Sequence, residues 1–202
     1  MEIVLASASP RRAELLRQIG LRFRVHAPAG GQDPEDVAPN ASGPREAAVH
    51  TAEHAARRLA EAKANAAARD YPDALVIGAD TIVVADGRFL GKPLDAEDAA
   101  AMLRRLSGRR HHVVTGVAVV RRDPALRLAD SSTTGVWFRS LTDEEIARYV
   151  ASGEPLDKAG AYGIQGRAAL FVERIEGDYF TVVGLPVASL GRLLAAAGVS
   201  LP

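Results

Sequence analysis

Ile3-Val4-Leu5-Ala6-Ser7-Ala8-Ser9-Pro10-Arg11-Arg12 is the stretch whose reading decides the fold. The apolar run Ile3 to Ala6 predicts a buried strand. Pro10 suits a first helical position, where a missing N–H has no partner to lose. Ser9 is then the expected N-cap of an amphipathic helix running from about Pro10 to Ile19. A strand passing through a tight turn into a helix N-terminus is the opening unit of an α/β fold. This terminus carries two hydroxyls (Ser7, Ser9) and two guanidiniums (Arg11, Arg12), which together with free backbone N–H groups favour a phosphate. The same residues also fit a plain Ser-Pro helix cap with two solvated arginines.

Outward from that unit the chain keeps alternating. Arg22 to His26 reads as a short strand, Ala27 to Pro44 as a long Gly/Pro/Asp-rich loop, and Arg45 to Arg69 as one alanine-rich helix with an apolar stripe through Val49, Ala52, Ala56, Leu59 and Ala66. A strand from Ala74 to Gly78 ends in Ala79-Asp80-Thr81 and is followed by Ile82 to Ala85. Asp86-Gly87 predicts a hairpin turn leading into Arg88 to Leu90. Asp95 is expected to cap a helix to about Ser107, and His111 to Arg121 and Arg127 to Phe138 predict two long strands. Thr142 and Glu145 form a capping box for the next helix. Ser152 to Gly166 reads as a Gly-rich loop, Ala169 to Arg174 and Tyr179 to Val183 as strands, and Pro186 opens a terminal helix. The pattern is α/β with a mixed sheet flanked by helices.

Composition narrows the function. At 202 residues the chain fits one sizeable domain, able to bury about 70% of its unfolded surface without staples. It has no cysteine, which excludes disulfides, thiolate metal sites and cysteine nucleophiles and fits a reducing, cytoplasmic setting. No signal peptide is apparent, and no apolar run approaches the ~20 residues that span a membrane. With 25 basic and 25 acidic residues the formal charge is zero, which argues against a broad nucleic-acid or anionic-membrane surface but leaves room for a local basic pocket. Only Lys63, Lys92 and Lys158 are lysines. In a chain that otherwise uses arginine, they mark places where a compact ammonium is wanted, unless so small a number is chance.

Several groups could carry chemistry. Asp80, following an apolar strand, is placed where open α/β sheets bind ligands and could hold a divalent metal or take a proton from water; it could equally cap the next turn. Gly87 to Lys92 is not a Walker A loop, since three residues separate its glycines and Pro93 stands where Ser or Thr should hold magnesium. Asp157-Lys158-Ala159-Gly160-Ala161-Tyr162-Gly163-Ile164-Gln165-Gly166 combines flexible backbone with an amide that both donates and accepts, as reading a base edge requires; the plainer alternative is a connector. His50-Thr51-Ala52-Glu53-His54 matches a zinc-peptidase pattern, yet no third ligand is evident. His111 and His112 point to opposite faces of a strand, which suits structural roles.

Ser7 to Leu16, Gly78-Ala79-Asp80-Thr81, Gly91-Lys92-Pro93, the Asp157 to Gly166 loop and Gly184-Leu185-Pro186 occur in the same order in the Maf family, which the chain resembles over nearly its whole length. The resemblance implies a single Maf-like domain over residues 1–202, with an elongated mixed sheet, two lobes and a central cleft, similar to the inosine triphosphatase fold. It implies a nucleoside triphosphate pyrophosphatase that uses a divalent cation, magnesium or manganese, to hydrolyse the α–β phosphoanhydride bond. Asp80 then matches the family's proton acceptor. Ser7, Arg12, Lys63 and Lys92 match positions around the triphosphate, and Arg11, Thr81 and Gln165 match the positions that distinguish nucleobases. That trio resembles the branch acting on dTTP and UTP, with modified pyrimidine nucleotides as further candidates. The family's association with septum formation supplies the competing reading, a nucleotide-binding regulator of cell division with little catalysis. A homodimer is implied by the resemblance alone.

The chain departs from the family at one place. Where relatives carry an acidic pair eight or nine residues after Phe23, it reads Gly31-Gln32, with Asp33 and Glu35 the nearest acids, and the segment up to Lys63 is about a dozen residues longer. Either Asp33 or Glu35 replaces the missing carboxylate through a shifted loop, or the metal relies on Asp80 and phosphate oxygens; the metal ligand set is therefore left unknown.

Overall fold

β3 (Leu75–Ala85) is an eleven-residue strand buried almost continuously along its length, and the fold is organised around it. Apolar side chains on both of its faces call for cover on both sides. The computed structural model describes residues 1–26 and 45–201, so the long loop expected over 27–44 lies outside the described residues. β1 (Ile3–Leu5) leads through the expected turn into α1 (Pro10–Gln18) and then β2 (Arg24–Val25). α2 (Arg45–Ala67) precedes β3, and β4 (Arg88–Leu90), α3 (Ala96–Leu106), β5 (Arg110–Arg121), β6 (Leu126–Phe138) and α4 (Asp143–Ala151) follow it. Three short 3-10 turns, at Glu154–Asp157, Ala159–Ala161 and Arg167–Phe171, lead to β7 (Val172–Glu176), α5 (Tyr179–Val183) and α6 (Val187–Ala196).

The seven strands form one mixed sheet in the order β2-β1-β3-β5-β6-β7, with β4 also paired to β3. β1 runs parallel to β2 and β3, and the remaining pairs are antiparallel. β5 occupies one edge of β3 from Val76 to Val84. The opposite edge is shared: β1 takes Leu75 to Ile77 and β4 takes Val83 to Ala85. Residues 78–82 are left between these two ladders. Asp80 therefore does not sit past the end of a strand, as its sequence context suggests, but in the middle of a continuous one, at a gap in the pairing of its edge.

α2 covers one face of the sheet with alanines: Ala52, Ala56, Ala60, Ala64 and Ala67 are fully buried, whereas Ala66, expected in the apolar stripe, is only half-buried. Small side chains let the helix come very close, and two sheet glycines complete the contact. A Cβ on Gly78 would lie 2.2 Å from the Ala60 carbonyl oxygen, and one on Gly116 would lie 2.2 Å from that of Ala56. This approach sets the height of Lys63 over Asp80. Gly116→Ala is expected to push α2 off the sheet and destabilise the protein by about 1–3 kcal/mol, the usual cost of overpacking. Denaturant unfolding measures it, and a wild-type midpoint would show that α2 is not so tightly seated. The other face buries Leu5, Leu75, Ile77, Val83, Val117 and Val119 against α1, α3, α4 and α6.

Local signals hold in several places. Asp95 caps α3 by accepting from the Asp98 N–H (2.8 Å), the Thr142–Glu145 capping box is complete, and Asp86 and Gly87 both take positive φ at the hairpin. Two expectations are corrected. Tyr179 to Val183 is helical: the Asp178 carboxylate accepts from the N–H groups of Phe180 and Thr181, and Gly184, at φ 112°, ends the turn. These end signals override the β-branched and aromatic composition between them. Residues 169–171 belong to a 3-10 turn, so the strand expected from Ala169 begins only at Val172.

Candidate active site

A cleft of about 450 Å³ opens at the gap in the edge of β3. Ser7, Arg11 and Arg12 reach it from the β1–α1 turn, Lys63 from α2, Asp80 and Thr81 from β3, Lys92 from the segment after β4, and Gln165 from the Gly-rich loop. All eight side chains singled out in the sequence thus line one cavity. Successive residues of a strand point to opposite faces, so Asp80 meets α2 while Thr81 meets the α1 side.

Asp80 is 4% exposed. Its Oδ1 accepts from the Lys63 ammonium, and its buried Oδ2 has no hydrogen-bond partner among the described residues. A buried carboxylate oxygen left unpaired is costly unless something else occupies it, such as a ligand proton or a cation. Among the described residues no three metal-ligating side chains cluster. Gly31, Gln32, Asp33 and Glu35, on which the alternative ligand sets depend, lie outside the described residues.

Arg12 spans the cleft floor. Nε donates to the Gly184 carbonyl (2.8 Å), Nη1 to Ser7 Oγ (3.1 Å) and Nη2 to Thr81 Oγ1 (3.3 Å). Burial lowers its pKa from the ordinary value, Asp80 works in the opposite direction, and Arg11 adds to the lowering. Ser9 holds the N-cap backbone position, but its hydroxyl makes no cap bond; its N–H donates instead to Ser7 Oγ (3.2 Å). Among the described residues, the first turn of α1 therefore keeps its N–H groups uncapped by a side chain.

Donor and acceptor counts fix what two hydroxyls can offer. Ser7 Oγ accepts twice, from Ser9 N–H and from Arg12, which uses both lone pairs and leaves only its hydrogen for a ligand. At Thr81 the logic runs the other way. Thr115 Oγ1 donates its single hydrogen to the Thr181 carbonyl (2.8 Å), so in its 3.0 Å contact with Thr81 Oγ1 it must accept. Thr81 spends its own hydrogen there and meets a ligand as an acceptor only. Sequence reading missed Thr115, whose one signal is a hydroxyl inside the apolar run Val113 to Val120.

The remaining groups frame the mouth. Arg11 Nη1 lies 3.7 Å from Asp157 Oδ2. Lys92 and Gln165 are exposed. Lys158 lines the cleft, but its ammonium donates to the Glu154 carbonyl and to Asp157 Oδ1, both at 2.6 Å, so the third lysine braces the loop. Behind the loop, buried His111 Nε2 is 2.8 Å from the Tyr162 hydroxyl, and its ring packs edge-on against Phe138 and Tyr162. Burial, with a smaller contribution from the charge of His112, holds the His111 pKa down at about 3. Unfolded histidine takes a proton near 6.5. The neutral ring's contribution to stability is therefore complete above about pH 6.5 and is lost as pH falls from there towards 3. Unfolding free energy should drop by about 1.4 kcal/mol per pH unit between pH 6 and 5. His111→Gln should flatten that slope in denaturant titrations, and an unchanged slope would assign it to other groups.

The zinc-peptidase pattern has a different explanation. His50 and His54 lie exposed on α2 with their Nε2 atoms 3.1 Å apart, and Arg57 Nη2 is 3.0 Å from His54 Nδ1. A guanidinium can only donate, so His54 Nδ1 accepts, its Nε2–H donates to His50 Nε2, and His50 turns its Nδ1–H towards Glu53 (3.7 Å). The pair sits on an exposed helix face, and no third metal-ligating side chain joins it among the described residues.

Comparison with known proteins completes the picture. The family model described as Maf-like protein matches residues 2–197. A dTTP/UTP pyrophosphatase of Koribacter versatilis is 48% identical over 205 aligned positions, covering 98% of this chain and 96% of the relative. Proteins of the same name from Geobacillus sp. and Moorella thermoacetica are 50% and 51% identical, with 95% of both chains covered in the first case and 98% and 96% in the second.

Proposed function

The chain belongs to the Maf family, and from that premise we propose that it is a nucleoside triphosphate pyrophosphatase that hydrolyses dTTP and UTP to the nucleoside monophosphate and pyrophosphate. One observation carries the reading: a buried carboxylate with an oxygen unpartnered among the described residues, Asp80, shares a cleft with Arg12, Lys63 and Lys92. Asp80 accepts the proton of the attacking water as the water oxygen bonds to the α-phosphorus, and the bridging oxygen departs with pyrophosphate. The three cations neutralise charge that builds on the leaving group. Ser7, limited to donating, suits a phosphate oxygen.

The donor set fits magnesium or manganese, because such ions are commonly held by one or two carboxylates together with phosphate oxygens and water. Asp80 would hold the cation together with substrate oxygens, and the ion would supply Lewis-acid polarisation of the phosphoryl oxygens.

Arg11, Thr81 and Gln165 read the base. Thr81 offers only an acceptor, which suits the N3–H shared by thymine and uracil and rejects cytosine, whose N3 carries no hydrogen. An unpaired buried polar group at such a contact discriminates strongly. In an assay of the common nucleoside triphosphates with magnesium or manganese, pyrophosphate should appear from dTTP and UTP with kcat/KM at least about tenfold above dCTP and the purine nucleotides. Release of orthophosphate instead would overturn the bond assignment. Binding of dTTP without turnover would favour a regulator.

A further inference from the structure

We propose that Glu154 is a positioning residue for nucleobase selectivity, holding at both ends the turn that carries Gln165. This rests on the reading of Gln165 as a base contact given above. The turn is closed by the Gly166 N–H donating to the Gly163 carbonyl (3.0 Å). Gln165 is exposed, so its aim is inherited from the backbone beneath it. That backbone is tied at the upstream end by the Gly163 N–H, which donates to the Tyr149 hydroxyl oxygen (3.3 Å), and Tyr149 in turn donates to Glu154 Oε1 (3.0 Å). At the downstream end the Arg167 N–H donates directly to Glu154 Oε2 (3.2 Å). One carboxylate thus spends an oxygen on each end of the four-residue segment 163–166.

The carboxylate is also pressed against the turn. A Cβ on Gly166 would lie 2.0 Å from Glu154 Oε1, so any larger residue there would displace the carboxylate from its present place. Glu154 is itself fixed: its N–H donates to Ser152 Oγ (3.3 Å) and its carbonyl accepts from Lys158 (2.6 Å). Tyr149 is buried on α4, and burial and the nearby Glu154 both raise its pKa, which keeps its hydroxyl a donor. Neither Glu154 nor Tyr149 lines the cleft, so any effect on substrate choice passes through the turn. Two acceptors are required at once, and glutamine supplies one.

The test compares Glu154→Gln, Gln165→Ala and the double variant on dTTP and dGTP, together with inhibition by inorganic pyrophosphate, which has no base. Glu154→Gln should lower the dTTP-to-dGTP ratio of kcat/KM by about tenfold, chiefly through the KM for dTTP. Its inhibition constant for pyrophosphate should stay within about twofold of wild type, and the double variant should lose no more selectivity than Gln165→Ala alone, because two residues acting through one contact do not add. Tyr149→Phe, which releases only the upstream end, should show the same signature at smaller size and carries the test if Glu154→Gln does not fold. A selectivity change at Gln165→Ala with none at Glu154→Gln overturns the inference alone. So do losses that multiply in the double variant, or a pyrophosphate inhibition constant that rises in step. No selectivity change at Gln165→Ala overturns the reading of Gln165 and the inference with it.

Discussion

Asp80→Asn should lower kcat for dTTP by about 10³-fold while leaving the protein folded, since removal of a positioned general base typically forfeits 10²- to 10⁴-fold. The substitution keeps the shape of the side chain and an oxygen that can accept from Lys63, the partner of Oδ1 in the wild type. What it removes is the second oxygen, Oδ2, buried and unpartnered among the described residues. An amide there cannot take a proton from water, and it is a far poorer ligand for a hard cation. The Lys63 side chain is a quarter exposed, so its ammonium is not left bare in a dry interior when the countercharge goes. A thermal transition close to wild type is therefore expected alongside the loss of turnover. Steady-state pyrophosphate release and a calorimetric melt measured on one preparation decide the matter. Wild-type-like turnover would remove Asp80 from the chemistry, and a collapsed transition would assign it a folding role.

How much of this site was legible in the sequence depends on how local each device is. The Asp95 cap, the Asp86-Gly87 hairpin and the Thr142–Glu145 box rest on interactions within a few residues and are present as read, whereas at the β1–α1 turn the strand, the turn and Pro10 are as read but the Ser9 hydroxyl makes no cap bond. The environment of Asp80 is of another kind. Its place at an edge gap depends on β1 and β4 stopping short of one another on β3, which no local pattern records. Tyr179 to Val183 misleads for the same reason, because strand-like composition is overruled by Asp178 and Gly184 at its ends. Thr115, whose carbonyl partner is 66 residues away, and Glu154, which reaches across a loop, become visible only when hydrogen bonds are traced atom by atom. The motif residues were readable because the roles proposed for them, holding phosphate and reading a base, restrict their type. The groups that aim them were not, because many residue types could stand there until the partners are known.

Arg12→Lys should be nearly as damaging as loss of the Asp80 carboxylate, although it preserves charge. Arg12 engages Gly184, Ser7 and Thr81 through three different nitrogens, and those acceptors lie on three separate parts of the chain. A lysine has one nitrogen on a flexible stem and cannot serve such a fork. The Gly184 carbonyl, buried and deprived of its Nε donor, adds about 1–3 kcal/mol of cost, so the melting transition should fall as well. The consequences for substrate follow from the hydroxyl counts. Without Nη1, Ser7 regains a free lone pair and is no longer confined to donating towards phosphate; without Nη2, Thr81 loses the bond that ties it to the phosphate side. Loss of kcat/KM for dTTP by about 10²-fold or more is expected, in keeping with a charge-assisted contact to phosphate removed together with its geometry. The inhibition constant for inorganic pyrophosphate should rise with KM, because the damage falls on the end of the cleft proposed to hold phosphate. Arg11→Ala supplies the contrast: it should alter the ranking of nucleobases with little change in pyrophosphate inhibition. If the two variants instead shift selectivity and pyrophosphate binding together, then the adjacent arginines do not divide their work between phosphate and base.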